Sequence, residues 1–144
     1  MNEHPTSKDL IIGIVDDQID GSELFQDALS TNIEGVSVVS FNDPEIALEH
    51  YTANKESYAL VISDLRMPNL NGLELLYTVK KLNPNVRTVL ITAHNVDNDI
   101  VFQHYLQLGI VDSIIQKPFT ISDLCHKVRN EIQIYQLTVA LKQT

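Results

Sequence analysis

Five polar residues stand at the ends of short apolar runs, and their types are those that phosphoryl chemistry uses. Asp64 closes Ala59-Leu60-Val61-Ile62-Ser63, and Asp16-Asp17 closes Leu10-Ile11-Ile12-Gly13-Ile14-Val15. Thr92 follows Arg87-Thr88-Val89-Leu90-Ile91, and Lys117 lies just past the run Val111 to Ile115. Taken alone, Asp64 reads as readily as a turn or helix cap, since Pro68, Asn71 and Gly72 turn the chain after it. The set says more. If the first and third runs are neighbouring strands, three carboxylates converge, and like charges that close either raise a pKa or require a cation. A hard divalent ion resolves the repulsion, and Mg²⁺ fits because it takes few carboxylates and keeps several waters. Lys117 adds a fixed positive charge and Thr92 a hydroxyl donor. Such a group suits an incoming phosphoryl, whose oxygens the metal and ammonium neutralise while a carboxylate attacks phosphorus.

The elements that must position these residues alternate along the chain. Apolar runs without polar alternation read as strands buried on both faces, and five of them occur: Leu10 to Val15, Val36 to Phe41, Ala59 to Asp64, Arg87 to Ile91 and Val111 to Ile115. Between them lie segments with helical spacing. Asp20 or Ser22 is predicted to cap a helix carrying Leu24, Phe25, Ala28 and Leu29, and Asn42-Asp43-Pro44-Glu45 opens one to about Tyr51. The next carries Leu75, Leu76, Val79 and Leu82, with Lys80 and Lys81 in its last turn and Asn83-Pro84 ending it. A helix from about Asp97 is expected to bury Val101, Tyr105 and Leu108 before Gly109, and the last begins near Thr120 or Ser122. Strand–helix units in series predict an α/β fold, a parallel sheet with helices on both faces and right-handed crossovers. All carboxyl ends then share one edge, where open α/β sheets hold ligands.

Composition narrows the function further. The chain has 144 residues, 44% apolar and 20% charged, which fits one globular domain. A net charge of −9 without any basic block argues against direct nucleic-acid binding. The lone Cys125 excludes an internal disulfide and reads as a small buried apolar residue, and no stretch is long and apolar enough for a membrane span or signal core. A cytoplasmic location is expected. His4, His50, His104 and His126 lack metal-ligand spacing and read as surface residues.

The pieces Val15-Asp16-Asp17, Asp64-Leu65-Arg66-Met67-Pro68-Asn69-Leu70-Asn71-Gly72, Ile91-Thr92-Ala93 and Lys117-Pro118-Phe119 resemble, in order and spacing, the receiver domains of two-component response regulators, the CheY-like superfamily. The resemblance covers about Asp9 to Glu131. It implies the flavodoxin-like (βα)5 fold with strand order 2-1-3-4-5, an order that belongs to the family rather than to any pattern in this chain. It also implies that Asp64 is phosphorylated by a partner histidine kinase or phosphotransfer protein. Asp17 then ligates Mg²⁺ directly, Asp16 mainly through water, and Arg66 through its backbone carbonyl. Thr92 and Lys117 bind phosphoryl oxygens with help from the backbone amide of Ala93, Arg66 and His94 tune hydrolysis, and Lys117-Pro118 is cis. The implied organisation is a flexible N-terminus over 1–8, a receiver over 9–131 and an extension of the last helix over 132–144.

Two features depart from the family's pattern. Receivers usually carry an aromatic three residues before the lysine, and here that position is Ile114, whose χ1 is stiff. Either Tyr105 or another side chain takes over its part in switching the face formed by the fourth helix, the fifth strand and the last helix, or the output is coupled differently. The last helix runs past Glu131 with Ile121, Cys125, Val128, Ile132, Tyr135 and Val139 at heptad-like spacing, and Ile134, Leu137 and Leu141 make a second apolar side. That tail either folds back on its own domain or serves as a homodimer contact or signalling helix towards an output protein. A Mg²⁺-dependent aspartyl-phosphate phosphohydrolase is the enzyme alternative, but the first strand ends Asp-Asp rather than Asp-x-Asp. A receiver-like scaffold that needs no phosphate is expected to have lost one of the five residues, and flavin binding lacks its Ser/Thr-Gly loop.

Overall fold

In chain order the elements are β1 (Leu10–Val15), α1 (Ile19–Asn32), β2 (Val36–Phe41), α2 (Pro44–Asn54), β3 (Tyr58–Asp64), α3 (Gly72–Leu82), β4 (Arg87–Thr92), α4 (Ile100–Gln107), β5 (Ser113–Gln116) and α5 (Ile121–Lys142). The structure, a computed structural model, describes residues 9–65, 71–93 and 95–143. The stretch 1–8, with His4, and the residues Arg66, Met67 and His94 fall outside those described. All five strands are parallel, in the order β2-β1-β3-β4-β5. The α/β expectation and the implied strand order both hold.

Neighbouring residues on β3 face opposite sides of the sheet, as a period of two requires. Leu60 and Ile62 join the apolar layer that α1 and α5 cover, with Leu29, Leu124 and Val128. Val61 joins the layer that α2, α3 and α4 cover, with Tyr51, Leu76 and Phe102. This explains why the central strands are apolar throughout. The exposed edge is managed too: Gln26 of α1 donates to the Val38 carbonyl at 2.9 Å and accepts from Ser40 Oγ at 2.8 Å, which occupies groups on edge strand β2.

At the opposite edge from Asp64 a polar network ties four elements together. Glu131 of α5 is 2% exposed; it accepts from Arg87 Nε of β4 at 2.6 Å and from Ser113 Oγ of β5. Asp112 accepts from the Thr88 backbone N–H at 2.9 Å and pairs with Lys80 of α3 at 2.6 Å. Lys142 donates to Asn85 Oδ1 at 2.5 Å, so the tip of α5 reaches the loop before β4.

Several boundaries differ from the sequence reading. Helix α1 starts at Ile19 with Gln18 at its N-cap, ahead of Asp20 and Ser22. Helix α2 continues past Tyr51 to Asn54. Strand β5 starts at Ser113 because Asp112 bonds Thr88 through side chain and backbone, which turns the chain before the ladder begins. Helix α4 begins at Ile100, since Asp99 caps it by accepting from the Phe102 N–H at 3.0 Å. Its inner face is Phe102, Tyr105 and Leu106, while Val101 and Leu108 are 62% and 58% exposed. Leu82, expected on the inner face of α3, is exposed. Cys125 is buried as expected; His50 is half-buried, its Nδ1 2.7 Å from the Tyr58 hydroxyl, rather than a plain surface residue. The heptad-like seam of α5 faces its own sheet: Cys125, Val128, Ile132 and Tyr135 are buried there with Val139 against them, and only Ile121 stays exposed.

Candidate functional site

Register decides what meets at the carboxyl edge. Val15 pairs with Ser63, so Asp16 follows one strand where Asp64 ends the next. Asp64 pairs with Ile91, which brings Thr92 one step beyond, and Thr92 pairs with Gln116, which brings Lys117 up next. Adjacent parallel strands lie about 4.8 Å apart, and the acids gather accordingly. One carboxylate oxygen from each of Asp16, Asp17 and Asp64 lies within 4.8 Å of the others. Lys117 Nζ stands 3.7 Å from Asp64 Oδ2. Its own backbone N–H donates to the Thr92 carbonyl at 2.8 Å, which holds the lysine's strand end against that of the threonine.

Asp17, Gln18, Asp64, Leu65, Thr92, Ala93 and Lys117 line one open cleft. Thr92 is 1% exposed and forms its floor, whereas Asp17, Gln18 and Ala93 are exposed at its rim. Burial foremost pushes the Asp16 carboxyl above its ordinary value, and the charges of Asp64 and Asp17 push the same way. A backbone N–H from Gln18, 2.9 Å from Asp16 Oδ1, and the charge of Lys117 act against this. Three converging carboxylates, one of them already disfavoured as an anion, form a donor set that fits a hard divalent cation.

Two residues outside the five shape the cleft. The N-terminal end of α3 abuts Asp64: the Gly72 N–H donates to the Leu65 carbonyl at 2.8 Å, and a Cβ on Gly72 would lie 2.2 Å from the Asp64 carbonyl oxygen. From sequence alone Gly72 reads only as a turn residue, and no pattern marks Gln18 beyond its place after Asp16-Asp17. Asp16, Asp17, Asp64, Thr92, Ala93 and Lys117 are brought together; Arg66 and His94 lie outside the described residues. The Lys117–Pro118 bond is cis, as the resemblance implied.

Comparison with known proteins agrees. The family model for the response regulator receiver domain matches residues 12–129. The chain belongs to that family. A probable chemotaxis protein CheY from Rhizobium etli is 35% identical to this receiver domain over 114 residues, 77% of this chain and 83% of the relative. A transcriptional regulatory protein, a CpxR homolog from Haemophilus influenzae, is 36% identical over 116 residues, 81% of this chain but 47% of the relative. The receiver thus spans about half the length of that protein. Among solved structures, a response regulator receiver domain from Clostridium thermocellum superposes with a TM-score of 0.78 at 24% identity, covering 90% of this chain and 98% of that one, a likeness of fold. The response regulator TrrA of Thermotoga maritima, solved in complex with Mg²⁺ and BeF, has a TM-score of 0.70 at 27% identity, covering 85% and 98%. The protein is a signalling receiver domain of the two-component type with an acidic cluster at its sheet edge. Among the described residues no helix is long and apolar enough to cross a membrane.

Proposed function

We propose that this receiver accepts a phosphoryl group on Asp64 from a histidine kinase or phosphotransfer protein, and that Mg²⁺ is required. The observation that carries the reading is the approach of Asp16, Asp17 and Asp64 to one another with Lys117 Nζ 3.7 Å from Asp64. Asp16, Asp17, Asp64 and the backbone carbonyl of Arg66 would hold the ion, Asp16 mainly through water. When bound it neutralises charge on the carboxylates and on the phosphoryl oxygens. An oxygen of Asp64 attacks phosphorus; the bond from phosphorus to the donor breaks, and its electron pair leaves with the donor. Lys117, the Thr92 hydroxyl and the Ala93 amide meet the three phosphoryl oxygens, and Arg66 and His94 tune the later hydrolysis. The domain catalyses only its own phosphorylation and slow dephosphorylation.

The acyl phosphate adds about one negative charge and new acceptor oxygens beside Thr92, which draws that hydroxyl inwards. The threonine pulls on the loop after β4, and the α4-β5-α5 face repacks. Tyr105 and Ile114 pack against the same apolar layer, which supports Tyr105 in the part usually played by an aromatic at the position of Ile114. Turning a 1:99 population into 99:1 takes roughly 5.5 kcal/mol of differential interaction, part of which an output partner can supply. The relatives are a chemotaxis protein and a transcriptional regulatory protein, so what they have in common with this chain is the receiver region and not one output, which supports a reading placed in the receiver itself. We place the protein in the cytoplasm, without direct nucleic-acid or membrane contact, and assign residues 9–131 to the receiver. The outer stripe Ile134, Leu137 and Leu141 of the tail is the candidate homodimer or signalling contact. The test is incubation with Mg²⁺ and acetyl phosphate, and with a histidine kinase, followed by intact mass. The wild-type chain should gain one phosphoryl group and Asp64→Asn none. A wild-type chain that gains nothing from either donor, or an Asp64→Asn chain that gains as much, overturns the reading.

A further inference from the structure

Gln18 is the polar residue of the cleft to which the phosphoryl chemistry described above gives no part. It occupies the N-cap of α1 with φ −104 and ψ 108, yet its side chain makes no capping bond. N-caps favour Ser, Thr, Asp and Asn, whose short side chains reach the first free N–H groups. A glutamine there sets aside a local preference, and such departures gather at functional sites. Its backbone is pinned beside the acids by the 2.9 Å bond to Asp16 Oδ1. Its carboxamide has no hydrogen-bond partner among the described residues.

The geometry of displacement at phosphorus then gives that carboxamide a task. Nucleophile and leaving group stand in line on opposite sides of the transferred group. For loss of phosphate the leaving group is the Asp64 carboxylate, whose strand end sits deep in the cleft beside the 1%-exposed Thr92. The attacking water therefore arrives from the rim. Of the described rim residues, Asp17 is assigned to the metal and Ala93 has no polar side chain. Only Gln18 offers a neutral group that both accepts from and donates to water, and carboxamides orient the attacking water in other phosphoryl-transfer sites.

We propose that the Gln18 carboxamide holds the water that dephosphorylates phospho-Asp64. The inference rests on phosphorylation of Asp64. The water oxygen bonds to phosphorus, the bond from phosphorus to the Asp64 oxygen breaks with its electron pair returning to the carboxylate, and the water's proton leaves to solvent with inorganic phosphate as product. Full-length chains phosphorylated with acetyl phosphate and Mg²⁺, then freed of donor, are followed by intact mass. Gln18→Leu removes the polar atoms and should slow decay about three- to tenfold, the worth of one hydrogen bond to the transition state. Gln18→Ser should slow it as much, because the short hydroxyl is engaged in the capping bond and does not reach the water. It should melt no lower than wild type, because serine is the better N-cap. A Gln18→Leu chain that decays at the wild-type rate overturns the proposal. So does a Gln18→Ser chain that decays at the wild-type rate, which traces any effect of leucine to the end of α1. A wild-type chain that takes up no phosphoryl group from acetyl phosphate or from a histidine kinase overturns the phosphorylation reading itself, and this inference with it.

Discussion

Asp64 keeps its place partly through a residue that has no side chain. The backbone of Gly72 packs so tightly on the end of β3 that a Cβ there would stand 2.2 Å from the Asp64 carbonyl oxygen and 3.0 Å from Leu90 Cδ1. A backbone oxygen within a strand cannot swing aside, so either α3 or the strand end must shift. Gly72→Ala should therefore cost about 1–3 kcal/mol, the usual penalty of overpacking, and weaken phosphoryl uptake together with stability. Urea unfolding and intact mass check both, and an alanine chain as stable as wild type would show that the approach is looser. At this scale the five strand-end residues were legible because each follows an apolar run and their types together form a set; any one of them alone reads as readily as a cap. Gly72 was legible only as a break in the chain, since a demand for empty space leaves no trace in residue spacing. Gln18 carried no pattern at all, because its role depends on a rim formed by other strands.

Elements bounded by strong signals could be read from sequence, and those resting on periodicity alone could not. Helix α3 ends where Lys80, Lys81 and Asn83-Pro84 said it would, and β2 keeps its expected bounds. Helix α4 has apolar residues on both faces, so Val101 with Leu108 and Phe102 with Leu106 fit a helical stripe equally well. Its Asp99 cap and the sheet beneath choose between them. In α5 the same three-and-four spacing serves a coiled-coil seam or a core-facing stripe, and burial of Ile132 and Tyr135 selects the second. Truncation after Glu131 would thus remove core residues, and Leu137→Ser with Leu141→Ser is the cleaner probe of a tail-mediated dimer. The ion pair that anchors this helix was invisible in sequence, because Arg87 and Glu131 lie 44 positions apart. Removing one partner of a buried pair costs about 3–5 kcal/mol, whereas replacing both is often neutral. Since Glu131 is 2% exposed, Arg87→Ala should come near the lower end of that range by stranding its carboxylate. Arg87→Met with Glu131→Met should recover much of the loss. Urea midpoints of the single and double variants test this, and additive losses would mean that the pair is not coupled.

For the molecule as a whole, a fold with net charge −9 gathers three of its acids at one sheet edge and depends on a counter-charge there. The raised pKa of Asp16 shows the direction of the strain. A carboxyl that holds its proton more tightly folded than unfolded favours the folded state below its ordinary value of 3.8, and that contribution is lost as pH rises through the raised value. At neutral pH the metal-free protein therefore carries the cost of a buried Asp16 charge, to which repulsion from Asp64 and Asp17 adds, while the Gln18 N–H and Lys117 offset part of it. A cation that binds only the folded site relieves it by mass action: at ten times its dissociation constant it adds about 1.4 kcal/mol. For a domain of this size that is a rise of about 3–6 °C in melting temperature. Sodium chloride at equal ionic strength should give less, since it screens the exposed Asp17 but reaches the buried Asp16 poorly. Asp16→Asn should melt higher than wild type without metal and gain less from Mg²⁺, because the same substitution removes both the repulsion and a ligand. Thermal melts of both chains in chelator, in sodium chloride and in Mg²⁺ decide the matter. If Mg²⁺ moves the wild-type curve no further than salt does, the three acids are a charged edge and not a metal site.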